Sequence, residues 1–250
     1  VKASRSEDWS IEHIGRYQPG PGEGDLVMSA ARRVVGDLPL SIQVDADIPL
    51  GKGLGSSAAA AVAGIAAALR LTGEDVSPDR VYRQAVELEG HADNVAAAVY
   101  GGLALVPAEG LPLRLPIYPA LQVVIGVPPR NLPTEQARSV IEPSHPHDRV
   151  LRSLSRVSAL TAGLITGDPG LLGAAHGDEI HERARDGISP EVAGLIDVAK
   201  AAGALHAARS GAGPSVIAIC TADTREKVVD AFSSEGVEVL TPHLATTGLF

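Results

Sequence analysis

Three glycines at alternate positions, Gly51, Gly53 and Gly55, run directly into Ser56 and Ser57. Bare Cα atoms let backbone N–H groups turn toward a polyanion and approach it closely. The two hydroxyls stand where a helix would begin and can satisfy its orphan N–H groups or ligate a metal. A helix N-terminus carries roughly half a positive charge, which makes phosphate its natural guest. The glycine spacing alone suits an ordinary strand-turn-helix joint equally well. A second polar block holds Glu87, Glu89, Gly90, His91, Asp93 and Asn94. Glu87 is the better metal candidate there, since Glu89 can simply face water, and His91, Asp93 and Asn94 read first as a capping turn. Asp178, His181, Glu182 and Arg185 fall at i, i+3, i+4 and i+7, one face of a helix and by default a solvated one. The loop Ser210-Gly211-Ala212-Gly213-Pro214-Ser215 is a further run of bare amides, or else a tight turn.

Such groups need rigid supports, and the hydrophobic pattern supplies them. Leu40 to Ile48 alternates apolar and polar, the period of a half-buried strand, and Pro49 ends it. Ala58 to Leu69 is a helix of small residues that can pack closely. Asp25 caps a helix through Val35 that Gly36 closes, and Ser77-Pro78 starts one that carries Val81, Ala85 and Leu88 inward. A strand is expected around Trp9 to Ile14, then a breaker-rich connection from Gln18 to Gly24. Further strands are expected at Leu103 to Val106, Leu121 to Val127, Val216 to Cys220 and Val237 to Leu240. Helices are expected from Asp148 to Thr166, after Asp168-Pro169, after Ser189-Pro190, and from Arg225 to Phe232.

Composition narrows the function. The 250 residues are 45% hydrophobic but only 3% aromatic, so the core must be built from Ala, Val, Leu and Ile. A formal charge of -9 argues against a nucleic-acid surface, which rewards clustered Lys and Arg. The lone Cys220 cannot form an internal disulfide, and the longest apolar run is too short to cross a bilayer, so a cytoplasmic protein without a membrane role is expected. Position 1 is Val and the sole methionine is Met28, so an ordinary translational start is not expected at the first residue shown.

The P-loop pattern needs Ser or Thr after Gly-Lys, but Gly53 follows Gly51-Lys52, and Ser56 stands where the dinucleotide fingerprint needs glycine. What the segment Pro49-Leu50-Gly51-Lys52-Gly53-Leu54-Gly55-Ser56-Ser57-Ala58-Ala59 resembles is the ATP-binding signature of the GHMP kinases, the superfamily of galactokinase, homoserine kinase and mevalonate kinase. The block Glu89-Gly90-His91-Ala92-Asp93-Asn94, followed by Gly101-Gly102, is similar to the homoserine kinases, with Ala92 in place of the usual proline. His181-Glu182-Arg183-Ala184-Arg185 is similar to a segment of theirs whose arginine holds the amino-acid carboxylate, with Arg183 where proline is common. The loop from Ser210 to Ser215 resembles the third GHMP motif. The first motif, a PASSANLGPGFD-like strand and loop, has no counterpart in the sequence.

The resemblance implies an α+β fold: an N-terminal half with an unusual βαβ crossover, placed at residues 1–125, and a ferredoxin-like half at 126–250. It also implies ATP bound by residues Pro49 to Ala59 and Mg²⁺ held by Ser57 and Glu87. His91, Asp93, Asn94, His181, Arg185, Gly211 and Gly213 would bind the substrate, with Asp93 and Arg185 as the catalytic candidates. The implied reaction is ATP-dependent phosphorylation of L-homoserine to O-phospho-L-homoserine, a step toward threonine, by a chain for which a homodimer is compatible. The alternatives are a GHMP kinase acting on another small alcohol, such as mevalonate or shikimate, and a non-catalytic nucleotide-binding protein.

Overall fold

The structure is a computed structural model that describes residues 1–19 and 24–249; most of the connection expected from Gln18 to Gly24 lies outside the described residues. The chain forms two compact units. Val1–Leu50, Gly55–Leu115 and the tail from Ala245 make the first, and Gly51–Leu54 with Pro116–Leu244 make the second.

In the first unit, β1 (Lys2–Arg5), β2 (Ser10–His13) and β3 (Leu40–Val44) form a sheet in the order β1-β3-β2. β3 runs antiparallel to β1 and parallel to β2. Parallel neighbours need a crossover, and α1 (Leu26–Val35) supplies it. The Asp25 side chain caps α1 by accepting the Met28 N–H at 2.9 Å, and Gly36 closes the helix at φ 60°. Leu40, Ile42 and Val44 are buried while Ser41 is exposed, as the alternation predicts. The strand is nevertheless shorter than the pattern: the parallel ladder ends at the pair His13–Val44, so residues up to Ile48 continue the alternation without strand pairing. β1, whose sequence KASR has no apolar period, is a strand only because β3 pairs with it.

α2 (Ser56–Thr72) packs on α1 through its small residues. A Cβ at Gly64 would lie 2.3 Å from the Val27 carbonyl oxygen and 2.9 Å from Ala30 Cβ, so no larger residue fits that crossing. α3 (Pro78–Glu89) and α4 (Asp93–Tyr100) close a core of Val62, Ile65, Leu69, Val81, Val95 and Val99. A short antiparallel pair, β4 (Leu103–Leu105) and β5 (Leu113–Leu115), completes the unit.

The second unit carries β6 (Gln122–Val127), β7 (His206–Arg209), β8 (Val216–Cys220) and β9 (Glu238–Leu240), antiparallel in the order β7-β8-β6-β9. Between β6 and β7 lie α5 (Thr134–Ser139), α6 (His147–Thr166), α7 (Pro169–Ala174), α8 (Glu182–Arg185) and α9 (Glu191–Ala201). α10 (Ala222–Ser234) joins β8 to β9, giving the βαββαβ order of a ferredoxin-like sheet. Both sheet faces are covered. Val124, Val216 and Ala218 pack under Val192, Leu195, Val228 and Phe232 of α9 and α10, whereas Val123, Ile125 and Val127 meet Leu160, Leu164 and Leu172 of α6 and α7.

The division expected between residues 125 and 126 falls inside β6, whose length belongs to this second sheet. The chain changes unit between Leu115 and Pro116 instead. Gly51–Leu54 joins the second unit because its backbone bonds there: Leu132 N–H donates to the Gly51 carbonyl and Ser215 N–H to the Lys52 carbonyl, both at 3.2 Å. Among the described residues no helix is long and apolar enough to cross a membrane.

Candidate functional site

The glycine-rich loop takes the shape its composition permits. Gly51, Gly53 and Gly55 have φ of 67°, 75° and 73°, all in the left-handed region that excludes most side chains. Gly55 is the N-cap of α2 and no side chain caps that end, so first-turn amides are left for an outside acceptor. Ser57 lies in this first turn. Its hydroxyl donates to Glu89 Oε1 at 2.7 Å, and the Glu89 side chain is only 6% exposed.

Glu87 is the first correction. It is 66% exposed and pairs with Arg33 at 3.2 Å. Two residues on a helix are about 200° apart in azimuth, so Glu87 and Glu89 face opposite ways, and the one beside Ser57 is Glu89. The expectation that Glu89 faces water is overturned with it. His91 Nε2 lies 3.4 Å from Glu89 Oε2, and His91 Nδ1 lies 3.2 Å from Asp93 Oδ1 without the alignment of a hydrogen bond. Asp93 is 77% exposed and accepts the Asn94 N–H at 2.8 Å, opening α4. Asn94 Oδ1 lies 3.4 Å from where a Cβ of Gly55 would sit. Ser57, Glu89, His91 and Asp93 thus follow one another at 2.7 to 3.4 Å, with Asn94 against Gly55. A cavity of about 390 Å³ in the same unit is lined by Asp25, Val27, Ile48, Leu50, Ser56 and Ser57 among others.

The remaining site residues belong to the second unit. The helix expected to carry Asp178, His181, Glu182 and Arg185 on one face is interrupted: α7 stops at Ala174, and only Glu182–Arg185 is helical. The reason is local. The Asp178 carboxylate accepts the N–H groups of Ile180 and His181 at 2.8 and 2.9 Å and the His181 ring nitrogen at 2.8 Å, which favours a turn over a continued helix. Burial pushes the Asp178 carboxyl up, but these hydrogen bonds outweigh it and hold the group at about 2. His181 is half exposed at the start of α8. Glu182 accepts the backbone N–H groups of Asp178 and Arg209 at 3.1 and 2.9 Å, so it builds the site rather than facing solvent.

Arg185 is 8% exposed. Its Nε donates to the Ala137 carbonyl and its Nη1 to the Gly211 carbonyl, each at 3.0 Å. Burial lowers its pKa first, and the like charges of Arg209 and Arg138 lower it further, an arrangement that an anion would relieve. A cavity of about 340 Å³ is lined by Arg185, Arg209, Glu182, His206, Val157 and Leu160, with others.

Gly53 and Gly213 serve packing as much as any ligand. A Cβ on Gly53 would lie 2.3 Å from the Ser210 carbonyl oxygen and 2.7 Å from Gly213 N, so the two glycine loops meet backbone to backbone. Ser210 Oγ fastens the contact by donating to the Gly53 carbonyl at 2.9 Å. The Lys52 ammonium group, expected among the ATP ligands, donates to the carbonyls of Pro128, Pro129 and Arg130.

Residues 25–102 match the family model for the GHMP kinases N terminal domain, and residues 159–238 match that for the GHMP kinases C terminal. The chain belongs to the GHMP kinases. Among members of that family it is 34% identical over 256 residues to the homoserine kinase of Moorella thermoacetica, covering 98% of this chain and 86% of that protein. It is 38% identical over 208 residues to the homoserine kinase of Thermus thermophilus, covering 82% and 71% respectively. A solved structure of homoserine kinase from Cytophaga hutchinsonii superposes with a TM-score of 0.82 at 27% identity, over 98% of this chain and 86% of that one. The resemblance of the glycine loop and its companion motifs, and the α+β fold it implies, agree with these similarities to GHMP kinases.

Sequence reasoning missed Glu89 and Arg209 as neighbours of the candidate site residues. Helix phase carried the signal for Glu89, because it directly precedes the Gly90-His91 block while Glu87 lies half a turn away.

Proposed function

We propose that this chain transfers the γ-phosphoryl group of ATP to the side-chain hydroxyl of L-homoserine, giving O-phospho-L-homoserine. The similarity to homoserine kinases over 98% of the chain carries the reading, and the Ser57–Glu89 pair at the start of α2 supplies a chemical reason for it.

Phosphoryl transfer has a loose transition state, so the protein's task is positioning and charge neutralisation. The uncapped first-turn amides of α2 receive phosphate oxygens, and the cavity beside Ser56 and Ser57, with apolar walls at Val27, Ile48 and Leu50, takes the nucleoside. A hydroxyl and a buried carboxylate are hard oxygen donors, the set that Mg²⁺ prefers when phosphates complete its shell, so Ser57 and Glu89 would hold it. When bound there, Mg²⁺ would supply charge neutralisation for the phosphates. His91 stands beside both carboxylates, 3.4 Å from Glu89 and 3.2 Å from Asp93, among the groups that would face the amino acid. The exposed Asp93 carboxylate takes the hydroxyl proton, and the Asn94 amide orients the amino acid. In the second unit, Arg185 spends one N–H each on Ala137 and Gly211 and keeps three of its five donors, a set suited to a carboxylate.

The test is an ADP-release assay with ATP, Mg²⁺ and a panel of alcohols. Preference for L-homoserine over mevalonate and shikimate is expected; preference for a non-amino acid, or nucleotide binding without turnover, would overturn the proposal.

A further inference from the structure

Lys52 lies in the middle of the glycine-rich loop, where its charge could meet a phosphate. Its Nζ donates to three successive carbonyls instead, those of Pro128, Pro129 and Arg130, at 2.9, 2.7 and 2.7 Å. An ammonium group has three N–H donors, so all of them are engaged and none is left for an anion. The acceptors are unusual too. Pro128 and Pro129 follow β6 directly and lack N–H groups, so this segment cannot continue the sheet by donating to it. Its carbonyls converge on one cation.

The loop is fastened on both sides of that contact. Leu132 N–H donates to the Gly51 carbonyl and Ser215 N–H to the Lys52 carbonyl, while Ser210 Oγ donates to the Gly53 carbonyl. Three glycines at positive φ would otherwise give this stretch large backbone freedom, and ordering it on binding would cost affinity.

We propose that Lys52 is a positioning residue: its ammonium group fills a cage of three carbonyls and thereby holds the glycine loop in the shape that receives phosphate, without itself touching the nucleotide. The proposal rests on the reading of this loop as part of an ATP site. It distinguishes Lys from Arg, because a planar guanidinium cannot direct three donors from one tetrahedral nitrogen. It also implies that the cage accepts a free alkylammonium ion when the side chain is shortened.

The experiment compares wild type with Lys52→Ala, Lys52→Met and Lys52→Arg by amide hydrogen exchange at Leu132 and Ser215, by ATP affinity, and by steady-state kinetics. Exchange at both amides is expected to accelerate at least about tenfold in the alanine and methionine variants, with ATP affinity falling by a similar factor. Propylammonium should restore both in Lys52→Ala, and Lys52→Arg should resemble the alanine variant. Lys52→Met keeps the volume of the stem and gives the same comparison where the alanine chain does not fold. Unchanged exchange in every variant would overturn the proposal. So would full function in Lys52→Arg with no response to propylammonium, which is the signature of direct phosphate contact. Wild-type protein that fails to phosphorylate homoserine would sink the proposed function, while the exchange data would still decide the role of Lys52.

Discussion

Ser57 Oγ and Glu89 Oε1 are 2.7 Å apart, which joins the first turn of α2 to the last residue of α3 through a nearly buried carboxylate. A hydroxyl beside a sheltered carboxylate at an uncapped helix N-terminus is an arrangement for a cation and the polyanion it accompanies. Glu89→Gln keeps an acceptor for Ser57 but removes the charge. Its kcat is expected to fall at least about a hundredfold with the fold retained. Glu87→Gln, which alters only an exposed pair with Arg33, should stay within about twofold of wild type. Paired steady-state kinetics with circular dichroism check both, and equal effects would remove Glu89 from the proposed metal site.

Arg185→Lys retains the charge but not the fork that reaches Ala137 and Gly211 together and leaves donors for the proposed carboxylate. KM for homoserine is expected to rise about tenfold to a hundredfold, with KM for ATP little changed. Equal rises in both would show that the arginine acts on the fold and not on the amino acid.

The contact of the two glycine loops gives a stability prediction with an internal control. Gly36 has φ 60° and ψ -125° with open space where its Cβ would be, so Gly36→Ala should cost about 1–3 kcal/mol from backbone conformation alone. Gly53→Ala adds a clash with the backbone of Ser210 and Gly213, and its loss should be clearly larger. Urea unfolding midpoints of the two variants make the comparison.

Acid should destabilise the second unit. His176 and His206 are stacked with ring centroids 4.9 Å apart. Burial first, then the neighbouring His176, holds His206 at about 4, and burial also lowers His176. The unfolded chain titrates near 6.5 and so binds the proton more readily than the folded one. Stability is therefore full above about pH 6.5 and falls as the pH drops toward 4, by about 3 kcal/mol at most from His206. His206→Asn should flatten that slope in urea titrations at successive pH values; an unchanged slope would assign the loss to other groups.

What could be read in advance was whatever depends on near neighbours in the chain. Asp25 and Gly36 mark the ends of α1, Gly167 closes α6, and Asp168 caps α7, each through a bond within one turn. The alternate glycines of the loop likewise stand where the backbone needs bare Cα atoms, each at positive φ. The failures share a physical cause, which is that partners distant in sequence or hidden by helix phase decided the outcome. Lys52 meets carbonyls 76 to 78 positions away. Glu89 differs from Glu87 only in which way α3 turns it, and its partner Ser57 lies 32 positions away on α2, a pairing that no local pattern gives. The helical spacing from Asp178 to Arg185 misled because an aspartate that captures two amides competes with the helix those amides would join.

The most direct measurement is ³¹P NMR of the purified protein with ATP, Mg²⁺ and L-homoserine. A phosphate monoester resonance should grow as the γ-phosphate signal of ATP declines, matched by an O-phospho-L-homoserine standard and abolished in Glu89→Gln. ATP that persists beside homoserine, or a phosphate signal that grows equally without it, would contradict the account.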